Sequence, residues 1–587
     1  MNPETKICQN CKNQFTIEPE DFKFYEKISV PPPTFCPECR SQRRMTWRDE
    51  RSLYQRKDDF GKDIISIYSS DKPFKIYPRD YWWSDAWNAM NYGNDYDFSK
   101  TFFIQFRQLL ESVPLSAVFS NNVVNSPYVN HVGFLKNCYL TFASWECENV
   151  HYSNKILGSR DSMDLFLADK CELCYWLIDC DSSYNLFFSQ NSSGNSNSFF
   201  LFDCKNCQNC FGCVGLRNKQ YYIFNEPNTK EEYEKRLKEF DIGSFKNFRN
   251  FRQKFSSKAL QYPHRFAHLI NSPETIGDNC RNVKNCYWCF DLRDNVEDSK
   301  YSIHGGVGMK DSYDGYGVGM CELLYEGIDS GVGGGSREKF SVVVYSSNDT
   351  DYCFNCEGSS NLFGCIGLRN KQYCILNKQY TKEEYEELVP KIIQHMNDMP
   401  YTDKKGRVYK YGEFFPSELS PFAYNETIAQ EYFPLTKEEA IEQGYSWKDP
   451  EPRNYEITLK TEDITDHIKD VEDSILGQVI ECQHKGACNE QCTEAFRIIP
   501  QELDFLRKQN LPIPRLCPNC RHYQRIKQRN PLKLWHRKCM CGTKTVYKNT
   551  IEHEHKAEPC PNEFETTYAP ERPEIVYCEQ CYLKEVV

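Results

Sequence analysis

A twelve-residue beat runs through residues 125–219 and limits what this chain can fold into. Cut at twelve, seven of eight segments open on Asn or Asp (Asn125, Asn137, Asn149, Asp161, Asn185, Asn197, Asn209), with Leu173 the exception. A fixed period sustained this long marks a repeat architecture. Every third segment resembles its partner. Ser126, Ser162 and Ser198 recur 36 residues apart, as do Val129, Leu165 and Leu201. The expected fold class is therefore mainly β, a β-solenoid with faces of twelve residues and coils of 36. Asn and Asp, which tolerate left-handed backbone, would hold the corners. Stacked coils would bury the ring and cysteine ladders.

The solenoid is duplicated. LRNKQYYIFN at 216–225 returns as LRNKQYCILN at 368–377, KNCYL at 136–140 as KNCYW at 284–288, and DSMD at 161–164 as DSYD at 311–314. Thr-Lys-Glu-Glu follows each copy, at 229–232 and 381–384, and occurs again at 436–439. Thr with Glu three residues later is a capping box, so each marks a helix start, and helical caps at an open end or edge are expected. The aromatic stretch 74–128, with Trp82, Trp83 and Trp87, predicts burial against the first turn of the solenoid, since large rings dominate cores.

The chain has 31 cysteines and a net charge of −11. It shows no run of about 18 apolar residues. The first thirty residues carry no basic-then-apolar leader, so a cytoplasmic location without membrane contact is expected. In a reducing compartment cysteines are metal ligands or small buried residues. Cys8-x2-Cys11 and Cys36-x2-Cys39 have the spacing of a structural Zn²⁺ site. A second copy places Cys492, Cys517 and Cys520 in matching positions, with Cys488 as the fourth ligand and Cys482 and His484 as spare candidates. A third unit offers Cys539, Cys541, Cys578 and Cys581, with His553, His555 and Cys560 able to substitute or to form a further site. Two to three structural zinc ions are expected.

The pattern CxxC…F-x-I…P-x-P…CPxCR, read from CPECRSQRR at 36–44 and CPNCRHYQR at 517–525, resembles the small treble-clef-type zinc ribbons of bacterial proteins. The order of parts is similar to that of large uncharacterised bacterial proteins from the candidate-phyla lineages. That resemblance implies a family of unknown function and no established activity. It also implies a further four-cysteine site near 56–82. Here that stretch has no cysteine, so a surviving ribbon would need aromatic packing in place of metal.

Other motifs weigh less. Cys204, Cys207, Cys210 and Cys213 have iron–sulfur-like gaps. They also fall at repeat positions occupied by Cys elsewhere, and residues three apart on a strand point to opposite faces. They read as core, and an iron–sulfur cluster is not expected. The glycine runs between 305 and 335 lack the Lys-Ser/Thr of a phosphate loop and read as tight turns. Basic residues follow both similar ribbons, and Arg40, Arg43, Arg44, Arg521, Arg525, Lys527 and Arg529 are candidate contacts to RNA or DNA. Asp161, Asp164, Asp311 and Asp314 are the carboxylates a solenoid enzyme acting on carbohydrate would use, although nothing separates them from corner residues.

The expected organisation is a zinc ribbon with basic tail (1–57), an aromatic capping region (58–120), a first solenoid (121–228), a helical insertion (229–279), a second solenoid (280–378), a helical and Pro-rich linker (379–475), a second ribbon (476–535) and a third zinc unit (536–587). The functional expectation is a zinc-binding, non-enzymatic binding or scaffold protein. Nucleic-acid binding through the basic tails is the alternative, and a carbohydrate-acting solenoid enzyme ranks behind it.

Overall fold

A computed structural model describes residues 2–451, 454–556 and 558–586, so residues 452 and 453 of the expected linker lie outside the described residues. Strand outweighs helix, 32% against 23%, and most strands run parallel in two large sheets. The chain forms two compact units, residues 1–119 with 267–449 and residues 120–266 with 450–587.

In the second unit a ten-stranded sheet runs from Ser120–Val124 to Glu226–Pro227. Its register steps by twelve: Met163 pairs with Tyr175, Tyr175 with Phe187, Phe187 with Phe199, Phe199 with Phe211 and Phe211 with Ile223. The chain therefore returns to the same point, one strand further on, every twelve residues. The expected 36-residue coil is corrected, and the 36-residue likeness is between every third turn of the stack.

Backbone geometry explains so short a turn. Every third residue is left-handed, as at Asn137, Leu140, Ala143, Glu146 and Asn149 with φ between 47° and 56°. Each such residue bends the chain, and the next one points inward. Cys138, Thr141, Ser144 and Cys147 are accordingly all buried. Inward positions follow a period of three and not the two of a flat strand.

Small inward residues also satisfy the backbone around them. Ser162 Oγ donates to the Arg160 carbonyl at 2.6 Å and accepts from the Cys174 amide at 3.0 Å. Cys174 Sγ in turn donates to the Glu172 carbonyl at 3.2 Å. On the outside the expected Asx corners form a ladder. Asn125 donates to Asn137 at 2.9 Å, Asn137 to Asn149 at 3.1 Å and Asn149 to Asp161 at 2.8 Å.

In the first unit the equivalent sheet has fourteen strands and starts at Leu269–Ile270, ahead of the expected boundary at 280. Its steps vary: Val342 pairs with Phe354, Phe290 with Ile303, and Tyr325 with Lys339. These offsets of twelve, thirteen and fourteen surround the glycine runs. Gly306 shows why glycine is needed there: at φ 130° a Cβ would come within 1.9 Å of the Arg293 carbonyl oxygen.

Each stack ends in an antiparallel hairpin, Tyr222–Ile223 with Glu226–Pro227 and Gln372–Ile375 with Lys378–Gln379. The capping boxes at Thr229, Thr381 and Thr436 then open the helices Lys230–Phe240, Lys382–Asp398 and Lys437–Glu442. The tryptophan-rich stretch lies on the last turn of the second stack, which corrects its expected place on the first turn. Asn377 Nδ2 donates to the Ala89 carbonyl at 3.1 Å, and the Arg369 guanidinium lies 5.5 Å from the Trp82 ring centre.

Candidate metal centres

Three groups of four cysteines come together at ribbon knuckles, the donor atoms of each within 4.8 Å of one another. In the first, the hairpin Glu4–Ile7 with Gln14–Ile17 presents Cys8 and Cys11, and Cys36 stands at the N-terminus of the helix Pro37–Met45. The Cys36 amide donates to Cys8 Sγ at 3.2 Å, and Cys11 Sγ lies 3.7 Å from Cys36 Sγ. Tetrahedral coordination with metal–sulfur bonds of about 2.3 Å needs sulfurs roughly 3.8 Å apart, which these donors fit.

The second group is Cys482, Cys492, Cys517 and Cys520. Its geometry repeats the first, since the Cys517 amide donates to Cys482 Sγ at 3.2 Å. Cys482 therefore holds the place expected for Cys488. The reason is a knuckle of nine residues between Cys482 and Cys492, where Cys8 and Cys11 are separated by two. Cys488 sits with His484, Glu490 and Cys520.

The third group is Cys539, Cys560, Cys578 and Cys581, and the Cys578 amide again donates to the first cysteine, Cys539, at 3.2 Å. Cys560 replaces Cys541 in the expected ligand set, and Cys541 lies with His553, His555 and Cys581. Within each group hydrogen bonding among the thiols lowers some and raises their partners, Cys36, Cys520 and Cys539 among the latter. It pulls Cys578 down to about 4, chiefly through Cys539, and holds Cys8 and Cys517 far below the ordinary thiol value, chiefly through Cys36 and Cys482. Four sulfurs brought this close are a donor set that a soft cation can fill.

The cysteine-free stretch keeps the third ribbon's frame. The Asp58 amide donates to the Lys62 carbonyl at 2.9 Å, as Cys539 does to Asn562 at 2.9 Å. The Ala117 amide donates to the Tyr77 carbonyl at 3.0 Å, as Phe266 does to Tyr577 at 3.0 Å. Asp58, Phe60, Pro78 and Tyr81 take the places of Cys539, Cys541, Cys578 and Cys581. The Phe60 ring packs 4.6 Å from Tyr81 and 5.2 Å from Tyr77, centre to centre. Aromatic rings fill the space that donors occupy in the C-terminal ribbon.

The arginines expected to contact nucleic acid are turned inward, and this corrects that expectation. Arg40, Arg43 and Arg44 lie on the buried face of Pro37–Met45. Arg40 and Arg44 reach Asp314 at 2.8 and 2.9 Å, and Arg43 reaches Glu326 and Glu413, both at 2.7 Å. In the other unit Arg521 binds Asp164 at 2.7 Å and Glu502 at 2.9 Å, Arg525 also binds Asp164, and Arg529 binds Asp179 at 2.7 Å. Each cluster sets arginines against an equal number of carboxylates, which is what makes burial of so many charges tolerable. Lys527 differs: it pairs with Glu490, and its side chain is 61% exposed.

Asp164 and Asp314 are thereby held as anchors in the core of each interface and are fully buried. Asp161 accepts from Asn149, and Asp311 pairs with Lys27 at 2.8 Å. The cysteines of the stacks are also buried. Cys204, Cys207, Cys210 and Cys213 all point inward, against the expectation of alternate faces, and each thiol donates to a backbone carbonyl. Burial pushes Cys138 up to about 11 and Cys147 up to about 12, while hydrogen bonds from Cys204 and Cys210 pull Cys207 down to about 3.

Comparison of the sequence with protein-family models and with curated proteins finds no match. No helix among the described residues is long and apolar enough to cross a membrane.

Proposed function

We propose that the chain is a zinc-stabilised, non-enzymatic cytoplasmic scaffold in which ribbons clamp two β-solenoids of twelve-residue coil. The observation that carries this reading is the coupling of each CPxCR knuckle to a stack. The helix that begins at the third cysteine, Cys36 or Cys517, delivers the arginines that neutralise Asp314 or Asp164. Closing the metal site therefore orients a buried ion-pair cluster, and metal affinity becomes folding energy. Zinc suits four thiolates in a closed tetrahedron.

The surface offered to a partner repeats in both units. A groove of about 800 Å³ lies between the helix Pro500–Lys508 and the ladder Asn125–Asn137–Asn149–Asp161. Its counterpart of about 670 Å³ lies between the helix Pro19–Lys27 and Asn285, Asp298 and Asp311. Both are lined by Asx side chains and rings, which suits an extended polar partner.

Elemental analysis of the natively purified chain, with its visible spectrum, tests the metal. Zinc in a colourless protein is expected, and iron with absorption near 400 nm would overturn it. Chelation should expose the amides of the ribbons and loosen both stacks in hydrogen exchange. Stacks indifferent to chelation would overturn the clamp.

A further inference from the structure

In two ribbons the fourth cysteine stands within reach of two donor sets. Cys581 belongs with Cys539, Cys560 and Cys578, and equally with Cys541, His553 and His555. Its sulfur lies 3.7 Å from Cys560 Sγ and 3.5 Å from His555 Nε2. Tetrahedra built on metal–sulfur bonds of about 2.3 Å and metal–nitrogen bonds of about 2.0 Å have edges of roughly 3.8 and 3.5 Å.

Both histidines are set as ligands are set. His553 Nε2 meets Glu585 Oε1 at 2.8 Å and His555 Nδ1 meets the Glu558 carbonyl at 2.5 Å, which fixes each ring and leaves its other nitrogen for a metal. Amide donors serve the sulfurs on either side. Asn549 Nδ2 donates to Cys541 Sγ at 3.1 Å and Asn562 Nδ2 to Cys578 Sγ at 3.3 Å.

We propose that the C-terminal ribbon holds two metal ions bridged by the Cys581 thiolate. One ion is bound by Cys539, Cys560 and Cys578, the other by Cys541, His553 and His555. The inference rests on the zinc reading above. A separate observation carries the same arrangement to Cys520. Cys488 Sγ lies 3.7 Å from it and Cys482 Sγ 3.9 Å. His484 Nδ1 and Glu490 Oε2 face each other at 3.1 Å, both buried and neither in a hydrogen bond. A cation between them satisfies both. Each added donor set lies in an expanded knuckle, nine residues between Cys482 and Cys492 and twenty between Cys539 and Cys560. The two-residue knuckle of the first ribbon carries none.

Native mass spectrometry and elemental analysis of the full chain, purified with zinc, test this. Five ions per chain are expected, one for each donor set. The double variant H553A/H555A should lose one ion, H484A/C488A another, with the ions of the four-cysteine sets retained. Three ions in the unaltered chain would overturn the bridges and leave the zinc reading standing, whereas fewer than three would defeat that reading itself. A count of four upholds the bridge in whichever ribbon the variant lowers it and overturns the other. Cadmium-113 NMR of the substituted chain gives a readout that does not depend on how a variant folds. Cadmium–cadmium coupling through sulfur is expected, and uncoupled signals would overturn the bridge.

Discussion

At the scale of single residues, the charges that look most available in the sequence are the most committed in the structure. Asp164 takes Arg521 and Arg525 at once, fully buried. Asp164→Ala leaves two guanidinium groups without their shared carboxylate, which costs about 3–5 kcal/mol for a buried pair. Asp161→Ala, three residues away on the exposed ladder, should cost under about 1 kcal/mol. Urea unfolding of the two variants checks the contrast, and equal midpoints would refute the anchor. His151 gives a pH signature. Burial holds its imidazole down at about 4, well under the ordinary value near 6.5, and its Nδ1 is buried without a hydrogen bond. Below about pH 6.5 the unfolded chain takes up a proton that the folded chain refuses until about pH 4, so stability falls with pH across that window. The full effect is about 3 kcal/mol. His151→Met, which copies Met163 one turn on, should flatten that limb, and an unchanged acid limb would rule His151 out as its source.

At the scale of elements, much was legible, and what was not has separate causes. Cys8, Cys11, Cys36 and Cys39 were legible because a two-residue knuckle leaves its signature within a few positions of sequence. Cys482 was legible only as a spare candidate, because its knuckle spans nine residues and a thiol at 488 falls nearer to the familiar spacing. The beat of twelve is visible in the sequence, but that a single beat makes a whole turn is not. The missing information was the left-handed residue at every third position. Asn and Gly advertise that conformation, but Leu167, Trp176 and Phe188 adopt it as well, at φ 52°, 56° and 50°. The inward turn of the arginine helices is hidden in the sequence for another reason: Arg521 and Asp164 lie 357 residues apart, and no local pattern pairs them. The three-residue step makes a claim about the stack's cysteines. Cys210 continues the inward column of Ser162, Cys174 and Ser198, in which Ser and Cys make the same bond to the carbonyl two residues back. Cys210→Ser should therefore cost less than about 2 kcal/mol and leave the metal content unchanged. Loss of an ion in that variant would return the cysteine to the ligands.

At the scale of the whole molecule, the two units use the same parts in a different order along the chain. In residues 1–119 and 267–449 the ribbon and its metal-free neighbour precede the stack, while in residues 120–266 and 450–587 the stack precedes both ribbons. Each unit therefore closes only through contacts between distant segments, such as Arg40 with Asp314, 274 residues apart. Such long-range closure is slow to form, and it divides the chain in an unobvious way. A protein ending at residue 449 retains every segment of the first unit but takes from the second the helices that supply Arg521, Arg525 and Glu502. The stack from 120 to 228 would then carry Asp164 without its arginines and the face of Phe187 and Tyr175 without Phe505 and its neighbours. Hydrogen exchange of that shortened chain should show the strands of 280–375 protected as in the full protein. The strands of 160–214 should exchange orders of magnitude faster. Equal protection in both stacks would mean that the first holds itself together without its ribbons, and would separate the metal sites from the stability of the repeat they flank.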